Sequence, residues 1–308
     1  MAYAEINGVD LYFDDIGSGV PVVMLHGLGA SHEDWESQRT PFSRRYRVIA
    51  PDLRGFGASG RSGEYSVAQF ADDIWGLLET LKVRRFHLIG HSMGGAVALQ
   101  MALDRPERIR RLVLADTLPS FETNTLGKRM LFAYRYAMMG VFGPQRLAKA
   151  VARKLFPGTE REQVRLRERA VRRGDINDRT VYLDTIRNLL GWTVTSRLAT
   201  LTMPVLVIAA EHDYFPVSDA EAFAAALPNA QLEVFAGAHH AVPLEIPGAF
   251  NRRVLDFFAA TSKAARRKTV RGVAVIKRAD AKSAGLAATT TSARPKPVKK
   301  RPTSRARR

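Results

Sequence analysis

Ser92 sits in the run Gly90-His91-Ser92-Met93-Gly94, which fits G-x-S-x-G. The apolar stretch "FHLIG" leads into it, and small residues resume after it in "GGAVALQMAL". A serine placed this way suits nucleophilic chemistry. A sharp strand-to-helix turn exposes its hydroxyl, and the glycines remove Cβ atoms that would clash in the turn. The helix that follows aims its free N–H groups at whatever the serine attacks. A serine hydroxyl is a weak nucleophile by itself, so it needs a base and an orienting group for that base. Of the seven histidines, two stand side by side in "FAGAHHAVPLEIP" (235–247), a loop after the last apolar run: His239 and His240. Two aspartates end apolar runs, Asp116 in "RLVLADT" and Asp213 after "VLVIAAEH". Residue types alone leave both choices open. The chain has no cysteine, which excludes a disulfide scaffold, a thiolate metal site and a cysteine nucleophile. Neither a metal nor a cofactor is expected.

The elements that must position these residues can be read from patterning. Short runs that are apolar throughout, "PVVMLHG", "RVIAPD", "FHLIGHS", "RLVLADT", "VLVIAAEHD" and "LEVFAG", indicate strands buried on both faces, as in a parallel sheet. "AEINGVDLYFDD" has Asn7-Gly8 between alternating segments, the signal of a tight hairpin. Helical patterns lie between the strands. In "SVAQFADDIWGLLETL" (66–81), Ser66 is the candidate N-cap, and Phe70, Ile74, Leu77, Leu78 and Leu81 form one stripe. Strand–helix alternation means an α/β fold. From about Leu118 to Ala199 the alternation stops and only helical patterns remain, such as "GPQRLAKAVARKLF". That stretch reads as a cap over the C-terminal edge of the sheet.

Charge divides the chain in two. Of 47 Lys/Arg and 30 Asp/Glu, 16 basic residues and one acid, Asp280, lie in 260–308. Residues 1–259 are therefore nearly neutral, and the tail carries most of the net charge of +17. The tail, ending "TSARPKPVKKRPTSRARR", holds too little apolar surface to offset the entropy of ordering, so disorder is expected; "VRGVAVIKR" (270–278) is its one apolar island. It has no aromatic residue to stack on bases, so its expected partners are polyanions, nucleic acid, polyphosphate or an anionic surface, bound through charge alone. The N-terminal "MAYAEINGVDLYFDDIG" lacks a basic stretch followed by an apolar one, and no window reaches ~18 apolar residues. A cytoplasmic protein without a signal peptide or transmembrane segment is expected.

The segment 237–247 resembles the G-x-G-H-x-x-x-x-E-x-P pattern of the α/β-hydrolase family, with Gly237, His240, Glu245 and Pro247 matching and His239 in place of the second glycine. "PDLRGFGASG" (51–60) is similar to that family's D-x-R-G-x-G-x-S run, and G-x-S-x-G completes the likeness. The resemblance covers residues 1–259 outside the cap. It implies a mostly parallel eight-stranded sheet flanked by helices, with the cap at about 118–199 inserted. It implies Ser92 as nucleophile, Asp213 as orienter and His240 as base, in the chain order of that fold. His239 and Asp116 stay as rivals. The oxyanion donors it implies are the backbone N–H groups of Leu28, in "HGLGAS", and Met93.

A serine nucleophile is incompatible with the family's branches that form esters of an aspartate. The reading is a carboxylesterase-like serine hydrolase acting on a small-molecule ester or lactone. The alternatives are an (enol-)lactone hydrolase or a ligand sensor that keeps the triad but turns over slowly. For the pocket, "RMLFAYRYAMMGVF" (129–142) nominates Met138, Met139 and Phe142, joined by Trp35 and Trp192 as walls. The cap arginines Arg161, Arg165, Arg167, Arg169, Arg172 and Arg173 are read as a solvated helix face.

Overall fold

A computed structural model describes residues 2–260 and 276–278. Strand β1 (Ala2–Ile6) turns back on β2 (Val9–Ile16) through Asn7 and Gly8, both left-handed at φ 49° and 74°. That pair of positive φ values gives the turn whose twist matches the strands it joins. The strands β3 (Val20–Leu25), β4 (Tyr46–Pro51), β5 (Phe86–His91), β6 (Ile109–Ala115), β7 (Val205–His212) and β8 (Ala230–His239) follow. Their order across the sheet is β1-β2-β4-β3-β5-β6-β7-β8, antiparallel through β4 and parallel from there on.

Side chains of the central strands alternate strictly between two apolar layers, as the two-residue period of a strand requires. Val23, Leu25, Leu88, Leu112, Leu114, Val205 and Val207 pack against α2 (Val67–Thr80), α3 (Met93–Asp104) and α8 (Val217–Ala225). Val22, Met24, Ile89, Val113, Leu206 and Ile208 pack on the other face, against α1 (Glu36–Ser43) and α10 (Pro247–Ala259), which supply Phe42, Phe250, Val254, Phe257 and Phe258. Both faces are covered, which is why the middle of each of these strands is a continuous apolar run. Ser66 caps α2 as expected, its hydroxyl accepting the Gln69 N–H at 3.1 Å.

Between β6 and β7 the chain leaves the sheet to form α4 (Leu126–Ala137), a π-helical turn (Met138–Phe142), α5 (Gly143–Leu155), α6 (Arg161–Asp175) and α7 (Arg179–Leu189). The two ends of this excursion are joined by backbone hydrogen bonds, Phe121 N–H to Trp192 O at 2.8 Å and Val194 N–H to Pro119 O at 2.9 Å. Two of the cap arginines are not merely solvated. Arg173 pairs with Glu33, Asp34 and Glu36, and Arg169 with Glu36, tying α6 to the body.

The tail is expected to be disordered, and most of it lies outside the described residues. Its described part, Ile276–Arg278, forms a short ninth strand, β9, parallel to β8 with Ile276 opposite Glu233. The edge of β8 offers unpaired backbone groups, and a short segment can bond to them without a core of its own. Among the described residues no helix is long and apolar enough to cross a membrane.

Candidate active site

Ser92 stands where β5 ends and α3 begins, with φ 53° and ψ −120°. A non-glycine residue held there costs about 1–3 kcal/mol, and such strain collects at functional sites. The neighbouring glycines are sterically required. A Cβ on Gly90 would stand 2.3 Å from the Gly94 carbonyl oxygen, and one on Gly94 would stand 2.3 Å from the Leu25 carbonyl oxygen. The strained turn is fastened from β6: Ser92 N–H donates to Ala115 O at 2.9 Å, and the Thr117 hydroxyl donates to Ser92 O at 2.7 Å.

His240 lies just past β8, buried, before the short helix α9 (Val242–Glu245). Its Nε2 is 3.0 Å from Ser92 Oγ, and its Nδ1 is 2.5 Å from Asp213 Oδ1. Three residues spread over 149 positions of sequence thus form one hydrogen-bonded chain. Burial works against the Asp213 charge. The facing imidazole, its hydrogen bond and the backbone N–H groups of Phe215 and Tyr214 outweigh that, holding the carboxyl below the usual carboxylate range. Tyr214 packs on the imidazole, ring centroids 4.5 Å apart.

The rivals have other partners. His239 Nδ1 lies 3.0 Å from Glu245 Oε1, and its backbone N–H donates to Glu245 Oε2 at 2.6 Å. Asp116 is buried at the end of β6, where burial pushes its carboxyl up. Its Oδ2 accepts the Val242 N–H at 3.0 Å and lies 3.5 Å from His91 Nε2. His91 Nε2 in turn donates to the His240 carbonyl at 3.0 Å. Asp116 and His91 therefore grip the backbone just after His240, at the His240 carbonyl and the Val242 N–H, without hydrogen-bonding to the nitrogens of its ring.

Leu28 and Met93 border the same cavity as Ser92 and His240. Met93 is the first residue of α3, where an N–H has no partner inside its helix. The orientation of the Leu28 N–H is set by a histidine that sequence reasoning passed over. Leu53 N–H donates to His26 Nε2 at 3.0 Å, so His26 carries its proton on Nδ1, which donates to the Gly27 carbonyl at 2.8 Å. Burial pushes the His26 pKa down and keeps the ring neutral. The Gly27 carbonyl and the Leu28 N–H share one planar trans peptide, so fixing one fixes the other in the opposite direction. A Cβ on Gly27 would come 3.2 Å from Ser92 Cβ, which shows how closely this backbone passes Ser92.

The "PDLRGFGASG" segment braces that loop. Asp52 accepts from the backbone of His32 and Ala58, and buried Arg54 pairs with buried Asp73 at 2.6 Å.

Ser92 faces a small, partly open cavity. Its remaining walls are Phe121, Leu131, Phe132, Arg135, Leu189, Tyr214 and Phe215. None of these walls was singled out from the sequence, although Tyr214 and Phe215 directly follow Asp213 and Leu131, Phe132 and Arg135 lie in the cap segment that was. A larger cavity lies under α5 and α6 and is lined by Leu28 and His91, but by neither Ser92 nor His240. The reacting groups make the smaller one the candidate substrate site.

Of the expected pocket residues, Met139 lines the larger cavity, and Met138 packs into the core beneath the cap. Trp192 packs on Phe121 one layer behind the wall. Phe142 is 48% exposed, with the Arg146 guanidinium over its ring. Trp35 is a correction: it is buried against Phe250 in the layer on the far face of the sheet, where the aromatic side chains of α1 and α10 meet.

Comparison with known proteins agrees with this architecture. The family described as the alpha/beta hydrolase fold matches residues 20–247. A putative carbamate hydrolase, RutD, of Caulobacter vibrioides is 29% identical over 265 residues, covering 83% of this chain and 97% of that protein. The crystal structure of the enol-lactonase from Burkholderia xenovorans superimposes with a TM-score of 0.77 at 26% identity, covering 84% of this chain and 100% of that one. An esterase from Exiguobacterium antarcticum gives a TM-score of 0.77 at 25% identity, covering 84% of this chain and 99% of that one. With a family match spanning most of the chain and a fold shared in full with these enzymes, the chain belongs to the α/β-hydrolase fold family.

Proposed function

We propose that the protein is a serine hydrolase of small carboxylic esters, working through an acyl-enzyme. The observation that carries this reading is the chain Ser92 Oγ–His240 Nε2, His240 Nδ1–Asp213 Oδ1, at 3.0 and 2.5 Å, on a strained turn facing a cavity. Ser92 Oγ attacks the ester carbonyl while His240 Nε2 takes its proton. Asp213 holds the proton on Nδ1 and stabilises the imidazolium. The oxyanion is received by the Leu28 and Met93 N–H groups, each such donor contributing on the order of 3–4 kcal/mol to the barrier. Collapse returns the proton to the departing alkoxide. Water then attacks the acyl-Ser92 ester by the same steps in reverse roles, releasing the acid.

A second reading, hydrolysis of a lactone, draws on the likeness to an enol-lactonase and on the small cavity. The test is a panel of p-nitrophenyl esters of two to sixteen carbons, beside lactones, enol-lactones and carbamates. Short and medium acyl chains are expected to lead, because the cavity at Ser92 is small and walled by Phe121, Phe132, Leu189 and Phe215. A lactone or carbamate exceeding every linear ester by tenfold or more would replace ester by that class. Failure to turn over any of them would overturn the reading in favour of a slow, triad-bearing sensor.

The basic tail is proposed as a polyanion-binding element, from its 16 Lys/Arg and single acid after residue 259. The full chain is expected to bind heparin and duplex DNA, with affinity falling steeply from about 50 to 300 mM salt through counterion release. A chain ended at Ala260 is expected to bind neither. Equal retention of the two chains, or binding indifferent to salt, would remove the tail from this role.

A further inference from the structure

One charged side chain in the substrate cavity plays no part in the mechanism above. Arg135, on α4 of the cap, lines the same cavity as Ser92, Met93 and His240. Its guanidinium carbon lies 5.2 Å from the Tyr214 ring centroid, and Tyr214 is the residue packed on the His240 imidazole. Its other close electrostatic neighbour is the buried phenol of Tyr182. Both phenols offer Arg135 a hydroxyl oxygen, and neither neighbour is a carboxylate; burial raises the Tyr182 phenol above its ordinary pKa. Among the described residues no carboxylate lies within ion-pair distance of Arg135, whereas Arg169 of the same cap pairs with one and Arg173 with three.

This arrangement asks for a ligand. Arg135 is half-buried, its guanidinium stays charged at every working pH, and even partial withdrawal from water without a counter-ion is costly. Aromatic faces recover only about 0.5–2 kcal/mol of that cost. The rest of the wall, Leu28, Phe121, Leu131, Phe132, Leu189 and Phe215, is apolar and supplies no acceptor for the planar fork. The natural occupant of such a fork is a carboxylate, which it can grip through two parallel hydrogen bonds. We propose that the substrate of this site is itself acidic: an ester or lactone carrying a carboxylate a few bonds from the scissile carbonyl, with Arg135 receiving that carboxylate. Arg135 is then the residue that sets specificity and orients the acyl part against Ser92. The apolar walls take the linking carbons.

The proposal rests on the serine-hydrolase reading, and the experiment separates the two. The probes are p-nitrophenyl hydrogen glutarate and p-nitrophenyl hexanoate, which share a leaving group and differ in whether the acyl chain ends in a carboxylate. The wild-type full chain is expected to favour the glutarate by at least tenfold in kcat/KM, mainly through KM. Arg135→Gln is expected to lower that ratio by at least tenfold. Arg135→Lys, which keeps the charge but loses the fork, is expected to give an intermediate ratio, and it serves as the reporter if melting curves show that the glutamine variant does not fold. Equal or inverted preference in the wild type would overturn the proposal, as would a glutamine variant that keeps the wild-type ratio. If hydrolysis of either probe survives in Ser92→Ala, it is the serine-hydrolase reading that fails. If turnover depends on Ser92 but favours the neutral ester, the acidic-substrate proposal alone fails.

Discussion

Ser92→Ala is expected to lower kcat for a short p-nitrophenyl ester by roughly 10⁶-fold and to abolish labelling by a fluorophosphonate. The size of the effect follows from the geometry. Alanine removes the atom that attacks and leaves His240 Nε2, now 3.0 Å from nothing it can activate, with only water to serve. The residual rate over water would come from the oxyanion donors and the cavity, which the substitution leaves in place. Ser92 is expected to be the only labelled residue, because among the described residues no other serine has a positive φ. The protein should fold normally, since alanine tolerates the site no worse than serine does. Retention of full activity in this variant would remove the catalytic reading of the whole site.

His240→Ala is expected to match the Ser92→Ala loss, because the two residues act as one unit and removing either disables both. His239→Ala is expected to cost less than tenfold, since its ring is engaged with Glu245 rather than with the nucleophile. Asp213→Asn is expected to lower kcat by roughly 10⁴-fold: an amide can donate to His240 Nδ1, which places the proton on Nε2, where it cannot accept from Ser92. Asp116→Asn leaves that tautomer untouched and loosens only the grip on the Val242 N–H and on His91, so a much smaller loss is expected. Steady-state kinetics of the four variants on one ester decides the assignment. Asp116→Asn slower than Asp213→Asn would place the orienting carboxylate on β6 instead of β7.

The sequence by itself determined the local pieces whose cause is local. The Asn7-Gly8 hairpin, the Ser66 cap and the glycine-flanked Ser92 are legible because each depends on backbone conformations that only a few residue types adopt or on bonds spanning a few positions. The sheet strands were legible because burial on both faces demands unbroken apolar runs, and the cap because no such run occurs between β6 and β7. The family's spacing singled out His240 and Asp213, but the residues alone left His239 and Asp116 standing. Only the tertiary structure separated them, since which carboxylate meets which imidazole depends on how the ends of β6, β7 and β8 lie side by side. The same holds for Trp35. An aromatic near the "HGLGAS" loop could face either side of the sheet, and the packing of α1 against α10 turned it away from the cavity. Arg135 was hidden for a related reason. In sequence it is one of many cap arginines, and its distinction, a cation in the cavity of Ser92 facing an aromatic ring and no carboxylate, exists once α4 is laid over β5 and β7. Residue type is a local property, whereas the partner a charge finds belongs to the fold.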